Sequence, residues 1–218
     1  MKKLSIIFAL LILGFTNAQA IKYGATGSFH NGSIAGIHGI SKSNFGGSLG
    51  IFADFAIVPN DIYDSAWLYL TPQLEVSTIG ERGDWNEDKV DMQKYSNIYV
   101  AVPLYIKYYM RSQGYKGDIY FMAGPKLEFL VSEKQDEGNA VMQATLAGQD
   151  PAKFGLGRKI NTFGYGLSVK AGSRINDQIE VFIRFDRGLS TVYSDYTLQN
   201  TYNRFLGVGL SYYIGETN

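Results

Sequence analysis

Residues 66–77 read Ala-Trp-Leu-Tyr-Leu-Thr-Pro-Gln-Leu-Glu-Val-Ser, so that Ala66, Leu68, Leu70, Pro72, Leu74 and Val76 share one parity while Trp67, Tyr69, Thr71, Gln73, Glu75 and Ser77 share the other. A period of two is that of a β-strand, whose successive side chains point to opposite faces. The segment also has the length of a strand that crosses a bilayer at a tilt, roughly 9–11 residues. Seven further segments follow the same rule. They begin with 21–29, where Tyr23, Ala25, Gly27 and Phe29 form the apolar set, and 48–57, where Leu49, Ile51, Ala53, Phe55 and Ile57 do so. The rest are 98–109, 119–131, 163–172, 179–186 and 206–214, with Val, Leu, Ile and Phe recurring on one parity throughout.

The connections alternate between long (30–46, 79–94, 132–161 and 190–202) and short (the turns at 59–61, 111–116 and 174–177). Alternating strands with alternately long and short connections predict an all-β fold, an eight-stranded antiparallel up-and-down transmembrane β-barrel. At eight strands the interior is just wide enough for side chains to fill, so the expected barrel is closed and packed. In such barrels the short turns are periplasmic and the long loops extracellular, which puts both termini in the periplasm of a Gram-negative bacterium. Residues 139–148, in the longest connection, are expected to form a brief helix.

Charge placement gives a separate criterion. Asp54, Glu75, Lys107, Lys126, Glu128, Lys170, Glu180, Arg184 and Asp186 all occupy the parity opposite to the apolar set. An unpaired Arg or Lys facing lipid at mid-bilayer costs roughly 2–4 kcal/mol, so a membrane wall excludes it. These nine residues are expected to meet inside the lumen as a network of ion pairs that plugs it.

The amino terminus carries Lys2 and Lys3, then an apolar run from Ile6 to Phe15, then Ala18-Gln19-Ala20. This pattern reads as a secretory signal peptide over 1–20, with the barrel domain over 21–218. The chain has no cysteine, which removes disulfides and thiolate metal sites from consideration. Twenty basic residues balance twenty acidic ones, so nothing points to a nucleic acid or another polyanion as partner. Sixteen tyrosines suit the aromatic girdles at membrane interfaces. Pro72, Pro103 and Pro125 lie within three consecutive strands; proline removes a ladder donor, so bulges or interrupted pairing are expected there.

The middle of the chain is similar to a known family. Thr71-Pro72-Gln73-Leu74-Glu75, Val102-Pro103-Leu104-Tyr105-Ile106-Lys107-Tyr108-Tyr109 and Ala123-Gly124-Pro125-Lys126-Leu127-Glu128-Phe129-Leu130 resemble successive strand motifs of the PorT-like outer-membrane β-barrel family. The resemblance implies an eight-stranded outer-membrane barrel and makes the three prolines family features. It also implies outer-membrane lipid and, during insertion, the barrel-assembly machinery as partners. The family's namesake is linked with protein secretion, which makes an accessory role in secretion one alternative.

No catalytic signature accompanies the wall. The two histidines, His30 and His38, fall in or beside the first long connection. A nucleophilic triad would need Ser33 or Ser41 with Asp54, and no nucleophile-elbow motif supports one. As metal ligands the two histidines lack a third and fourth partner at a recognisable spacing, and no cofactor is implied. Arg82-Gly83-Asp84 in the second long connection is a tripeptide that adhesion receptors read; charged, glycine-containing loops also exist simply to stay solvated. The expected function is structural or interactive, with any protein or surface partner met through the long loops. The alternatives are a lipid-modifying enzyme, a soluble periplasmic lipocalin-like carrier whose apolar parity would face inward, and a small pore.

Overall fold

A computed structural model describes residues 21–36, 41–58, 66–84, 92–110, 119–136, 145–148, 159–193 and 200–217. Eight strands, β1 (Ile21–Ala35), β2 (Ser41–Val58), β3 (Leu68–Asp84), β4 (Met92–Tyr109), β5 (Ile119–Asp136), β6 (Phe163–Arg174), β7 (Ile179–Gly188) and β8 (Tyr202–Thr217), pair antiparallel in sequence order. β8 pairs back onto β1, from Ile21↔Thr217 to Ala35↔Tyr202, and closes the barrel. Closure leaves no free edge along the wall, which an all-strand membrane protein requires because bilayer lipid satisfies no backbone donor. The segment read as a signal peptide and the turn at 59–61 lie outside the described residues.

The outward parity is apolar: Leu49, Ile51, Leu206 and Ile214 are each more than 60% exposed. The nine predicted charged residues are all buried on the inner side. This is the reverse of a lipocalin-like carrier, whose apolar side chains line the interior. The wall's first departure from the predicted parity is at the start of β3, where the strand begins at Leu68 instead of Ala66. Ala66 packs against the inner core, while the Trp67 ring meets the outward Tyr108 edge-on at 5.7 Å. A register shift between Ala56 and Val58 on β2 accompanies this exchange.

The strands are longer than the hydrophobic pattern indicated. β2 to β5 run for 17 or 18 residues, whereas β6 and β7 have 12 and 10. A bilayer needs only roughly 9–11, so the longer strands continue past the apolar band as paired polar ladder. The predicted 30–46 and 79–94 loops therefore shrink to 36–40 and 85–91, and the alternation of long and short connections fails for these two. Beyond the membrane the outer face of a strand no longer meets lipid and need not be apolar, so apolar alternation cannot report its continuation. Only the β6–β7 turn among the short connections is described. There the Asn176 side chain accepts from the amides of Gln178 and Ile179 at 2.9 and 2.8 Å, a turn in which the side chain substitutes for backbone. In the longest connection the described residues 145–148 begin with a helical pair, 145–146; residues 139–144 of the expected 139–148 helix lie outside the described residues.

The three prolines interrupt pairing without moving the register. Pairing skips Ala53 and Asp54 opposite Pro72 and Thr71, then Gln73 and Leu74 opposite Pro103 and Val102, then Leu104 and Tyr105 opposite Pro125 and Gly124. Each proline breaks the ladder with the preceding strand and pairs normally with the following one, through Leu104, Lys126 and Leu167. In the last gap an added Cβ on Gly124 would sit 1.9 Å from the Leu104 carbonyl oxygen, so only glycine admits this close approach. The register shifts lie elsewhere, at Tyr23/Gly24, Ser43/Ser48, Ala56/Val58 and Ile98/Tyr99.

Candidate functional site

The lumen is layered. At the end that holds the tight turn and both termini, Tyr69, Tyr105, Tyr109, Tyr120, Met122 and Phe182 form one cluster. Eight of the described tyrosines are buried, among them Tyr69, Tyr105, Tyr109, Tyr120 and Tyr213, while Tyr23, Tyr108, Tyr165 and Tyr212 face outward. Girdles explain only the second group. At the opposite end Ile34, Ile160, Val192 and Tyr193 pack with Leu130. The Ile160↔Tyr193 bridge and the 2.8 Å bond from the Asn161 amide to the Val192 carbonyl hold this lid together.

Between floor and lid lie two groups of charges. In the first, Lys107 of β4 reaches Asp54 of β2 at 3.0 Å and Glu180 of β7 at 2.7 Å. It also donates to the Tyr213 hydroxyl at 2.5 Å. Asp54 accepts further from Thr71 at 2.6 Å and from Tyr213 at 2.7 Å. Glu180 accepts from the Tyr109 hydroxyl and lies 3.9 Å from Arg174. In the second group Arg184 of β7 grips Glu75 of β3 with both terminal nitrogens, at 2.7 and 2.5 Å. It binds Asp186 through Nε and Nη2, each at 2.7 Å. Lys126 of β5 joins Asp186 and Glu128, each at 2.5 Å. Ser168 donates to Asp186 at 2.5 Å.

All nine sequence-predicted residues therefore face one lumen; parity puts opposite charges of neighbouring strands within reach, yet their ion pairs run across the barrel or between residues two apart on one strand. β3 and β7, which hold the Glu75–Arg184 pair, stand diametrically opposite in the eight-strand ring. Long side chains in a narrow, filled barrel reach across it more easily than along the wall. Charge-assisted bonds of this kind, doubly made by a guanidinium, are the strongest of the ordinary protein hydrogen bonds.

Lys170 is different. Its amine donates to the Gln73 side-chain oxygen at 3.0 Å and lies over the rings of Tyr105 and Phe182, at 4.8 and 4.5 Å. Among the described ion pairs it has no carboxylate partner. Because removing it leaves no bound carboxylate behind, Lys170→Met is expected to be neutral or stabilising, by up to about 1–4 kcal/mol, as replacing buried charge with packed apolar volume often is. Thermal unfolding followed by the gel-mobility shift of the folded barrel measures this; a loss as large as that from removing Arg184 would contradict it.

Sequence reasoning placed Arg174 in a turn and so missed the fifth base. Its guanidinium stacks over Tyr109 at 4.4 Å. With it, five basic and five acidic residues share the lumen. The hydroxyls of Thr71, Tyr109, Ser168 and Tyr213 were also missed, since their role depends on which strands face one another, and the sequence alone does not display that.

His30 is corrected from loop to lumen. It lies on β1, 1% exposed, where Nε2 donates to the Thr78 carbonyl at 2.8 Å and the ring stacks on Phe205 at 4.1 Å. Gly46 and Gly207 on the flanking strands make the room: an added Cβ would meet the His30 side chain at 2.8 and 2.6 Å. The triad is not assembled from His30, Ser33 and Asp54. The Ser33 hydroxyl accepts from Arg204 on β8, and Asp54 is held in the first charge group. His38 lies outside the described residues. Arg82, Gly83 and Asp84 are not loop residues; their backbone is strand, paired with Lys94, Gln93 and Met92. A hollow of about 760 Å³ lies outside the lumen, on the lipid-facing wall over Ala25, Gly27 and Gly47.

The chain belongs to the family described as outer membrane protein beta-barrel domain, which it matches over residues 17–194. No curated protein is similar in sequence. Among solved structures, the chain is similar to Neisserial surface protein A, with 12% identity and a TM-score of 0.43, covering 88% of this chain and 97% of that one. It is also similar to Ail, the attachment invasion locus protein of Yersinia pestis, with 9% identity and a TM-score of 0.40, covering 88% and 98%.

Proposed function

We propose that this outer-membrane barrel is a sealed, non-enzymatic anchor that presents the outer ends of its long strands and the connections between them to a partner. The observation that carries the reading is the filled lumen: tyrosine floor, two charge groups and apolar lid occupy the interior, which supports a scaffolding role for it. Both termini and the tight turn lie in the periplasm in this reading, the 137–162 and 189–201 connections lie outside, and residues 1–20 direct export and are removed. The strand motifs at Pro72, Pro103 and Pro125 support placing the chain among the PorT-like barrels. Outer-membrane lipid surrounds the apolar wall, and the barrel-assembly machinery inserts it.

The test is to exchange residues 138–158 for a short Gly-Ser linker, which spares Ile160 and Asn161 of the lid. The barrel is expected to insert and to keep its heat-modifiable gel mobility, because long surface insertions add little to folding energetics, while cells carrying it reproduce the phenotype of a deletion strain. Full wild-type behaviour, here and after the same exchange within 194–199, would contradict presentation through these connections.

A further inference from the structure

Two charges break the rule that the lipid-facing parity is apolar. Arg187 of β7 and Arg204 of β8 are direct cross-strand partners, and both side chains are exposed. They sit on the outward parity: Phe185 and Leu189 flank Arg187 along the chain, Leu167 lies opposite it on β6, and Leu206 follows Arg204. Like charges directly opposite each other on one sheet face are destabilising. Neither arginine takes part in any of the ion pairs among the described residues. Arg204 donates from Nε to the Ser33 hydroxyl of β1 at 3.1 Å, on the side of β8 away from Arg187.

Their height is informative. β7 starts at the tight turn, and Arg187 lies eight residues along it. That is roughly 20 Å up the bilayer normal, for a strand rising ~3.3 Å per residue at ~40° tilt. The outward apolar band of such barrels is about 25 Å tall, so the pair stands where acyl chains give way to headgroups. It stands on the side where β6 and β7 are short, with only Gly166↔Gly188 of β6–β7 and Ile34↔Asn203 and Ala35↔Tyr202 of β1–β8 paired above it. Two planar guanidiniums with a hydroxyl beside them, at the headgroup level and with no carboxylate paired to them among the described residues, match the geometry and charge of a phosphate.

We propose that Arg187, Arg204 and Ser33 form a binding site for the phosphate of an outer-leaflet lipid, which bridges the two arginines and relieves their repulsion. The site rests on the orientation given above, in which this end of the barrel faces out. Binding to the purified barrel does not depend on that orientation, and protease accessibility of residues 137–158 on intact cells tests orientation separately.

The experiment is a native mass spectrometry titration of the folded full barrel in detergent with a diphosphorylated disaccharide glycolipid, with its dephosphorylated counterpart, and with inorganic phosphate. The wild type is expected to bind the phosphorylated glycolipid at least tenfold more tightly than the dephosphorylated one. Each of Arg187→Gln and Arg204→Gln should weaken that binding by roughly tenfold, the value of a charge-assisted hydrogen bond, whereas Lys134→Gln, on an exposed stretch of β5, should not. Arg187→Lys with Arg204→Lys keeps the charge but loses the fork; it should weaken binding several-fold, and it serves if the Gln variants fail to fold. Equal affinity for the two glycolipids, or no effect of the arginine substitutions, would overturn the site. Displacement by millimolar inorganic phosphate would overturn its assignment to a lipid.

Discussion

Arg184→Ala is expected to destabilise the folded barrel by about 3–5 kcal/mol, the cost of removing one partner from a buried ion pair. The reason lies in what stays behind. Glu75 receives both of its guanidinium bonds from Arg184, and it is 1% exposed. Without Arg184 this carboxylate is left buried in a filled lumen, with its partner's volume empty beside it. Asp186 keeps Lys126 and Ser168, so most of the loss belongs to the Glu75 side. Heat-modifiability of the folded form on semi-native gels should drop far more for Arg184→Ala than for the exposed Lys134→Ala. Removing both charges at once, as Glu75→Leu with Arg184→Leu, should restore much of the lost stability, because the uncompensated charge is then gone. Equal small effects from Arg184→Ala and Lys134→Ala would refute the network's role.

Lys107→Met is expected to cost a similar ~3–5 kcal/mol, although the substituted side chain fills nearly the same space. Lys107 alone stands between Asp54 and Glu180, at 3.0 and 2.7 Å. Without it two buried carboxylates face each other, with only hydroxyl donors and the more distant Arg174 to hold them. The comparison with Lys170→Met makes the result specific. Both lysines are buried and both lie over aromatic rings, but only Lys107 holds carboxylates. Refolding yield and gel-shift midpoint should separate the two variants clearly; the same loss from both would mean that buried volume, and not charge pairing, sets the stability.

The membrane-spanning part of this barrel was legible in the sequence because the bilayer imposes two patterns at once. Lipid outside keeps Leu, Val and Ile on one parity, and the lumen draws Asp54, Glu75 and Arg184 to the other. Where lipid ends, the signal ends. The β3–β4 ladder continues from Ile79 to Asp84 and from Met92 to Asn97, where the sequence carries no apolar alternation, so it read as loop. His30 was misplaced for the same reason, since β1 near it is built of Gly27, Ser28, Asn31, Gly32 and Ser33 and carries little hydrophobic alternation. The diametric pairing of Glu75 with Arg184 was not legible either: parity tells which side chains enter the lumen, while their partners depend on how the ring closes. Arg187 and Arg204 lie at the margin of the apolar pattern, Arg187 after Phe185 at the end of β7 and Arg204 before Leu206 at the start of β8, so the pattern did not include them.

Planar-bilayer recording of the purified, folded barrel tests the sealed lumen most directly. The floor, the Lys107 and Arg184 groups and the lid predict no steady conductance for the wild type, and at most sporadic openings. Sustained, uniform channels from the wild-type barrel, unchanged by Arg184→Ala and Lys107→Met, would contradict a lumen closed by these residues.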